Sequence, residues 1–156
     1  MDATDRKLLG LLAEDATIAY RDLGEKLGLS APSIFERVKK LKAQGVIKQT
    51  TIAIDGEAIG RPLMAFVHVM TEGWGRTPEM MALEADPRVE EIHAVAGDTC
   101  MILKVRCEGT RALEQLLKAV YDIPGVKETR SYIALNTYLE RNVRAELVSN
   151  SLPTVP

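Results

Sequence analysis

Histidine, cysteine and aromatic residues are scarce in this chain of 156, which has two His, two Cys, one Trp, four Tyr and two Phe. Each scarcity removes a chemistry. His68 and His93 both fall in segments that read as strands, where a lone imidazole is more often packed than catalytic, and no HxxxH or CxxC spacing occurs. Cys100 and Cys107 lie seven residues apart on one such segment. They point to opposite faces and can neither share a metal nor form a local disulfide. There is no GxGxxG and no glycine-rich phosphate loop, and Gly73-Trp74-Gly75 reads as a plain loop. A nucleotide enzyme is disfavoured, and no cofactor or metal is expected. The longest nearly unbroken apolar stretch, residues 63–70, is far short of the roughly 20 residues a membrane span requires. Met1-Asp2-Ala3-Thr4-Asp5-Arg6 shows neither the basic nor the apolar region of a secretory signal. With only two cysteines, a reducing, cytoplasmic setting is the expectation.

What is present is ordinary globular composition, 46% hydrophobic and 27% charged. The formal net charge of -2 hides an asymmetry. Residues 1–54 carry 9 basic and 7 acidic side chains, and residues 55–156 carry 11 and 15. The excess sharpens over residues 31–48, where Arg37, Lys39, Lys40, Lys42 and Lys48 face the single acid Glu36. Such a stretch can meet phosphates, or it can be a solvated face.

Three helices are predicted in the first 45 residues. The first covers residues 4–14, with Leu8, Leu11 and Leu12 at helical spacing. The second covers 21–27 and ends at Gly28, and the third begins after the N-cap Ser30 with Pro32 in its first turn and stops at Gly45. Only Gly28-Leu29-Ser30 separates the last two, which is helix-turn-helix punctuation. The β-branched run over residues 46–54 reads as a strand suited to a wing, giving a winged helix-turn-helix over 1–54. Residues 55–62, with Gly56, Gly60 and Pro62, read as a linker.

Farther on, Pro87-Arg88-Val89-Glu90-Glu91 recurs 37 residues later as Pro124-Gly125-Val126-Lys127-Glu128. Each copy follows an apolar helical segment and precedes a strand. Strands are predicted at 63–71, 89–96, 100–107 and 127–139, the middle pair joined by a two-residue hairpin turn at Gly97-Asp98. The order βαββαβ over residues 63–142 predicts an α+β, ferredoxin-like domain, followed by a tail over 143–156. The first strand is apolar on both sides: Met64, Phe66, His68 and Met70 on one, Ala65, Val67 and Val69 on the other. Helices can cover one side, so the other is expected to meet a second copy of the chain.

On the third helix, stepping 100° per residue from Ile34 places Val38 and Leu41 in its buried stripe and Ser33, Glu36, Lys39 and Lys40 on the opposite arc. That arc is the candidate reader of a major groove, with Ser33 and Glu36 near base edges and both lysines on phosphates. Ser30, at the helix start, joins the DNA-facing candidates. Arg37, about 60° from Ile34, is either a DNA contact or a structural ion pair beside the core. Phe35, about 100° away, packs on DNA or on the wing. Tyr20 and Arg21 open the second helix, where they hold a phosphate or form a simple cap cluster.

Taken in order and spacing, Asp5-Arg6-Lys7-Leu8-Leu9, the run from Asp22 to Ser30, Arg37-Val38-Lys39-Lys40-Leu41 and Gly45-Val46-Ile47 resemble the DNA-binding domain of the leucine-responsive and asparagine-operon regulators (Lrp/AsnC). Val95-Ala96-Gly97-Asp98, Leu103-Lys104-Val105 and the run from Ile123 to Thr129 resemble that family's effector-sensing domain. The resemblance implies a transcription regulator whose dimers assemble further, often to octamers, on double-stranded DNA. It also implies a small effector, an amino acid, bound near the Gly-Asp turn. Carried over, the effector residues are Gly97, Asp98, Thr99 and Cys100, with Thr129 and Ser131. Many relatives have an aromatic residue and an Asp where this chain has Thr99 and Cys100. Two other readings compete: a DNA-wrapping architectural protein without an effector, and a tetrapyrrole decarboxylase of the same fold using His68 and His93.

Overall fold

The helical start is set by its caps. In the computed structural model, which describes residues 1–145, Asp2 accepts from the Asp5 backbone N–H at 2.7 Å and Asp5 accepts from that of Asp2 at 2.9 Å. This reciprocal capping box opens α1, Ala3–Glu14. Helix α2, Tyr20–Leu27, ends at Gly28 with φ 68°, a left-handed conformation a side chain would strain. Helix α3, Ala31–Ala43, is capped by Ser30, whose Oγ accepts from the Ser33 N–H at 3.3 Å. Leu8, Leu23, Ile34, Val38 and Leu41 bury their side chains together and form the core of this unit. Full burial of one such side chain contributes about 1.5–3 kcal/mol, so these five supply most of what holds three short helices together.

The predicted wing is corrected. Residues 46–54 form no ladder: the backbone after Gly45 runs extended and unpaired, leaving Ile52 and Ile54 exposed. The β-branched composition is right for a strand, but no neighbouring strand within the unit offers backbone partners. Residues 55–62 fold into a hydrogen-bonded turn, with Arg61 N–H donating to Gly56 O at 2.7 Å and Asp55 Oδ1 accepting from Glu57 N–H at 2.9 Å. Gly56 is buried where a Cβ would lie 2.5 Å from the Arg106 Cδ.

The second unit, Ile54–Tyr138, is a four-stranded antiparallel sheet with two helical connections. Its strands are β1 (Leu63–Thr71), β2 (Val89–Ala94), β3 (Met101–Cys107) and β4 (Val126–Ile133), in the spatial order β2-β3-β1-β4. The connections are α4, Pro78–Met81, continued by one 3-10 turn over Ala82–Ala85, and α5, Thr110–Tyr121. Ala65, Val67 and Val69 of β1 with Leu103 and Val105 of β3 form one sheet face, buried against Met80, Leu113, Leu116 and Val120. The 37-residue repeat is structural: Val89 N–H donates to Asp86 O at 3.0 Å, and Val126 N–H donates to Ile123 O at 3.1 Å. The same turn thus launches both outer strands.

Three strand limits shift. The β2–β3 connection is six residues, 95–100, closed by Val95 N–H donating to Cys100 O at 3.1 Å, so Gly97-Asp98 is not a two-residue turn. Strand β2 stops at Ala94 and β4 at Ile133, six residues short of the expected end. Of the tail expected over 143–156, residues 146–156 lie outside the described residues.

Candidate nucleic-acid interface and effector site

Helix α3 presents its chemistry by subtraction. With Ile34, Val38 and Leu41 turned inward, Phe35, Glu36, Lys39 and Lys40 are exposed and Ser33 is half-buried. No acidic side chain within salt-bridge distance of Lys39 or Lys40 is recorded among the described residues. Phe35 is 48% exposed, and its ring sits 6.1 Å from that of Tyr20, joining the start of α2 to the outer face of α3. Phe35 therefore packs on Tyr20, not on a wing. The N-cap of α2 is Ala19, which makes no side-chain capping bond, so the simple cap cluster does not form. The first N–H groups of that helix point outward next to Tyr20 and Arg21. Arg21 reaches Asp22 at 3.4 Å and Glu25 at 3.9 Å, both on the surface.

Arg37 takes the structural alternative. Its Nη1 donates to Asp5 Oδ1 at 2.6 Å and to Asp2 Oδ2 at 2.8 Å. Hydrogen bonding from the Asp5 backbone, and then from Arg37, holds the Asp2 carboxyl below its ordinary range. A guanidinium so engaged has less to give a phosphate than the two lysines beyond it.

In the second unit the sheet has an open face. Cross-strand register puts Phe66 opposite Tyr132, His68 opposite Arg130 and Met70 opposite Glu128, while Val67 pairs with Ser131 and Val69 with Thr129. Thr129 and Ser131 therefore share the side of the buried valines, and Glu128, Arg130 and Tyr132 share the open one. A shallow hollow lies on the open side, lined by His68, Met70, Asp98, Thr99, Glu128 and Arg130, with about 10 Å³ of room, close to what one water needs. Arg130 Nε donates to Glu128 Oε1 at 2.7 Å, which raises the guanidinium pKa further. The His68 and Tyr132 rings meet at 4.9 Å.

The expected effector residues thus divide. Asp98 and Thr99 reach the hollow, Gly97 is exposed in the same loop, and Thr129 and Ser131 are not brought to it. The buried Thr99 hydroxyl bridges backbone oxygens of Val69 at 3.0 Å and Met101 at 3.3 Å, holding the loop against β1. Cys100 is half-buried, its Sγ 3.9 Å from the Met70 sulfur. Hydrogen bonding from the Thr71 backbone, then its hydroxyl, draws the thiol below its usual range. Sequence reasoning missed Glu128 and Arg130. Their i, i+2 spacing with opposite charges was the available signal.

A helix-turn-helix with a basic outer face, joined in one chain to a ferredoxin-like sheet, defines a DNA-binding regulator with an appended sensing domain. Comparison with known proteins gives the family. Residues 1–42 match the AsnC-type helix-turn-helix domain and residues 64–144 the Lrp/AsnC ligand-binding domain, and the chain belongs to the Lrp/AsnC family of transcriptional regulators. It is 32% identical over 140 residues to the HTH-type transcriptional regulator FL11 of Pyrococcus horikoshii, covering 90% of this chain and 93% of that one. The leucine response regulatory protein LrpA of Mycobacterium tuberculosis superposes with a TM-score of 0.82 at 33% identity, covering 92% and 99% of the two chains. A transcriptional regulator of Neisseria meningitidis, solved as an L-Met complex, shares the fold with a TM-score of 0.83 at 24% identity, covering 90% and 94%.

Proposed function

We propose that the chain regulates transcription by seating the outer arc of α3 in the major groove of double-stranded DNA. Ser33 and Glu36 lie toward base edges, Lys39 and Lys40 lie on phosphates, and Ser30, Tyr20 and Arg21 flank them at the backbone. The observation that carries this reading is the exposure of Glu36, Lys39 and Lys40 directly opposite the buried stripe of Ile34, Val38 and Leu41. A basic helix face anchored by an apolar one is what groove entry requires. Such a protein works by binding in the cytoplasm rather than by catalysis.

The second unit supplies control. An amino acid bound around Asp98 and the 95–100 loop favours one assembly over another, and DNA affinity follows because ligand and DNA act on the same equilibrium. The L-Met complex of the Neisseria regulator supports an amino acid as the ligand class. Self-association uses the open sheet face: Phe66 and Tyr132 lie exposed at its centre, a cost that pairing with a second copy removes.

The test is a gel-shift series of the full chain on its own upstream DNA at rising salt. Binding should fall steeply with salt, and the Lys39→Ala, Lys40→Ala pair should reduce the log–log slope by about 2. Salt-independent binding, or no binding at low salt, would refute the reading. A DNA-wrapping protein without an effector is the second reading, favoured by the small size of the hollow and by the internal hydrogen bonds of Thr99. It predicts no thermal shift with any of the twenty amino acids.

A further inference from the structure

The hollow on the open face carries both signs of charge. Two carboxylates, Asp98 and Glu128, and one guanidinium, Arg130, converge there beside His68, Met70 and Thr99. Arg130 and Glu128 are already joined at 2.7 Å, so the site is filled by its own internal ion pair. About 10 Å³ cannot enclose a side chain. Whatever binds here is recognised by its charged head and leaves the remainder outside.

We infer that Glu128 and Arg130, rather than Thr129 and Ser131, read the effector, opening their mutual ion pair to take the ammonium and the carboxylate of a free α-amino acid. This rests on the amino-acid reading above and deepens it. The exchange conserves charge. The ligand carboxylate replaces Glu128 on Arg130, and the ligand ammonium is received by Glu128 and the nearby Asp98. No charge is left without a partner, so the loss of the internal pair is offset by two charge-assisted hydrogen bonds. A 2-oxo acid would take Arg130 but leave Glu128 unpaired beside Asp98, with like charges in contact. A simple amine would take the carboxylates and leave Arg130 alone. Rejection of both arises from the pair itself, a selectivity built by penalising the wrong charge pattern. Thr129 and Ser131 are turned to the face of Val67 and Val69 and take no part.

The experiment is a thermal-shift titration of the full chain with each of the twenty L-amino acids, and with the matching 2-oxo acid and primary amine of any that binds. The expected result is that an amino acid shifts the wild type and its two analogues do not. Glu128→Gln and Arg130→Gln each weaken binding about tenfold, the loss of one charge-assisted contact. Glu128→Gln also narrows the discrimination against the 2-oxo acid, a change that mere loosening of β4 would not produce. Thr129→Val and Ser131→Ala bind as the wild type does. If an amino acid binds but the Glu128 and Arg130 variants keep full affinity, or the 2-oxo acid binds equally well, this assignment is overturned and the amino-acid reading stands. If no amino acid shifts the wild type, the effector reading falls and takes the assignment with it.

Discussion

Arg37 and Asp5, 32 residues apart in sequence, meet at 2.6 Å and tie the capped start of α1 to the middle of α3. Asp5 is buried while Arg37 is half-exposed, so the pair guards one edge of the Leu8–Ile34 core. Arg37→Met should lower the melting temperature and steepen acid unfolding. The sign follows from Asp2: its pKa is depressed in the folded chain, so the stability it lends is present above the ordinary carboxylate range and is lost as pH falls through it. Melting curves between pH 7 and pH 2 on both proteins test this. The expected result is a smaller pH dependence in the variant at the acid end, since the charge that favours ionised Asp2 is gone.

The second unit has its own bidentate pair. Arg88 Nε donates to Asp86 Oδ1 at 2.9 Å and Nη2 to Oδ2 at 2.6 Å, while Nη1 reaches the Ala112 carbonyl at 3.0 Å. The Asp86 carboxyl is drawn down chiefly by that hydrogen-bonded guanidinium. Asp86→Asn should cost about 1–2 kcal/mol at pH 7, measured by urea unfolding, because Arg88 is then left with a neutral partner in a mostly buried site. The gap between the two proteins should close as the pH drops below the carboxylate range, where wild-type Asp86 is protonated as well.

How far the sequence led differs by element, for physical reasons. β1 was legible to the residue because both its faces are apolar and its ends carry polar or proline punctuation. The Ser30 cap of α3 and its inward stripe followed from local rules alone. The wing failed because a strand needs a neighbour, and composition over residues 46–54 says nothing about where one lies. The faces of β4 were illegible for a related reason. It alternates Glu128, Arg130 and Tyr132 with Thr129, Ser131 and Ile133, and neither set is plainly apolar, so only its register with β1 decides which side faces the hollow. Arg37 was open between two roles, and only the third dimension brought Asp2 and Asp5 to it.

The turn between α2 and α3 gives a sharp stability test. A Cβ on Gly24 would lie 2.4 Å from the Leu29 carbonyl oxygen, a backbone atom that cannot swing aside. Gly24→Ala should therefore destabilise the first unit by about 1–3 kcal/mol and weaken DNA binding, despite the gain in helix propensity. Circular dichroism during denaturation checks the first effect and the gel shift the second. Lys39→Ala should show the converse, weaker DNA binding at unchanged stability, because its side chain touches no core residue.

The two thiols should separate by reactivity. Cys107 is fully buried at the end of β3, and burial pushes its thiol up from the usual value, whereas Cys100 is half-buried and drawn down by Thr71. The reactive species is the thiolate, so both access and ionisation favour Cys100. Treating the native chain with iodoacetamide at pH 7.5 should label Cys100 first, and label Cys107 only after urea is added. Peptide mapping by mass spectrometry distinguishes the sites. Because the Cys100 sulfur sits against Met70, which lines the hollow, an amino acid bound there should slow this first labelling step and leave the unfolded-state rate of Cys107 unchanged. Equal labelling of both cysteines in the native chain would contradict the packing of β3 itself, since Cys107 can react only if that strand opens.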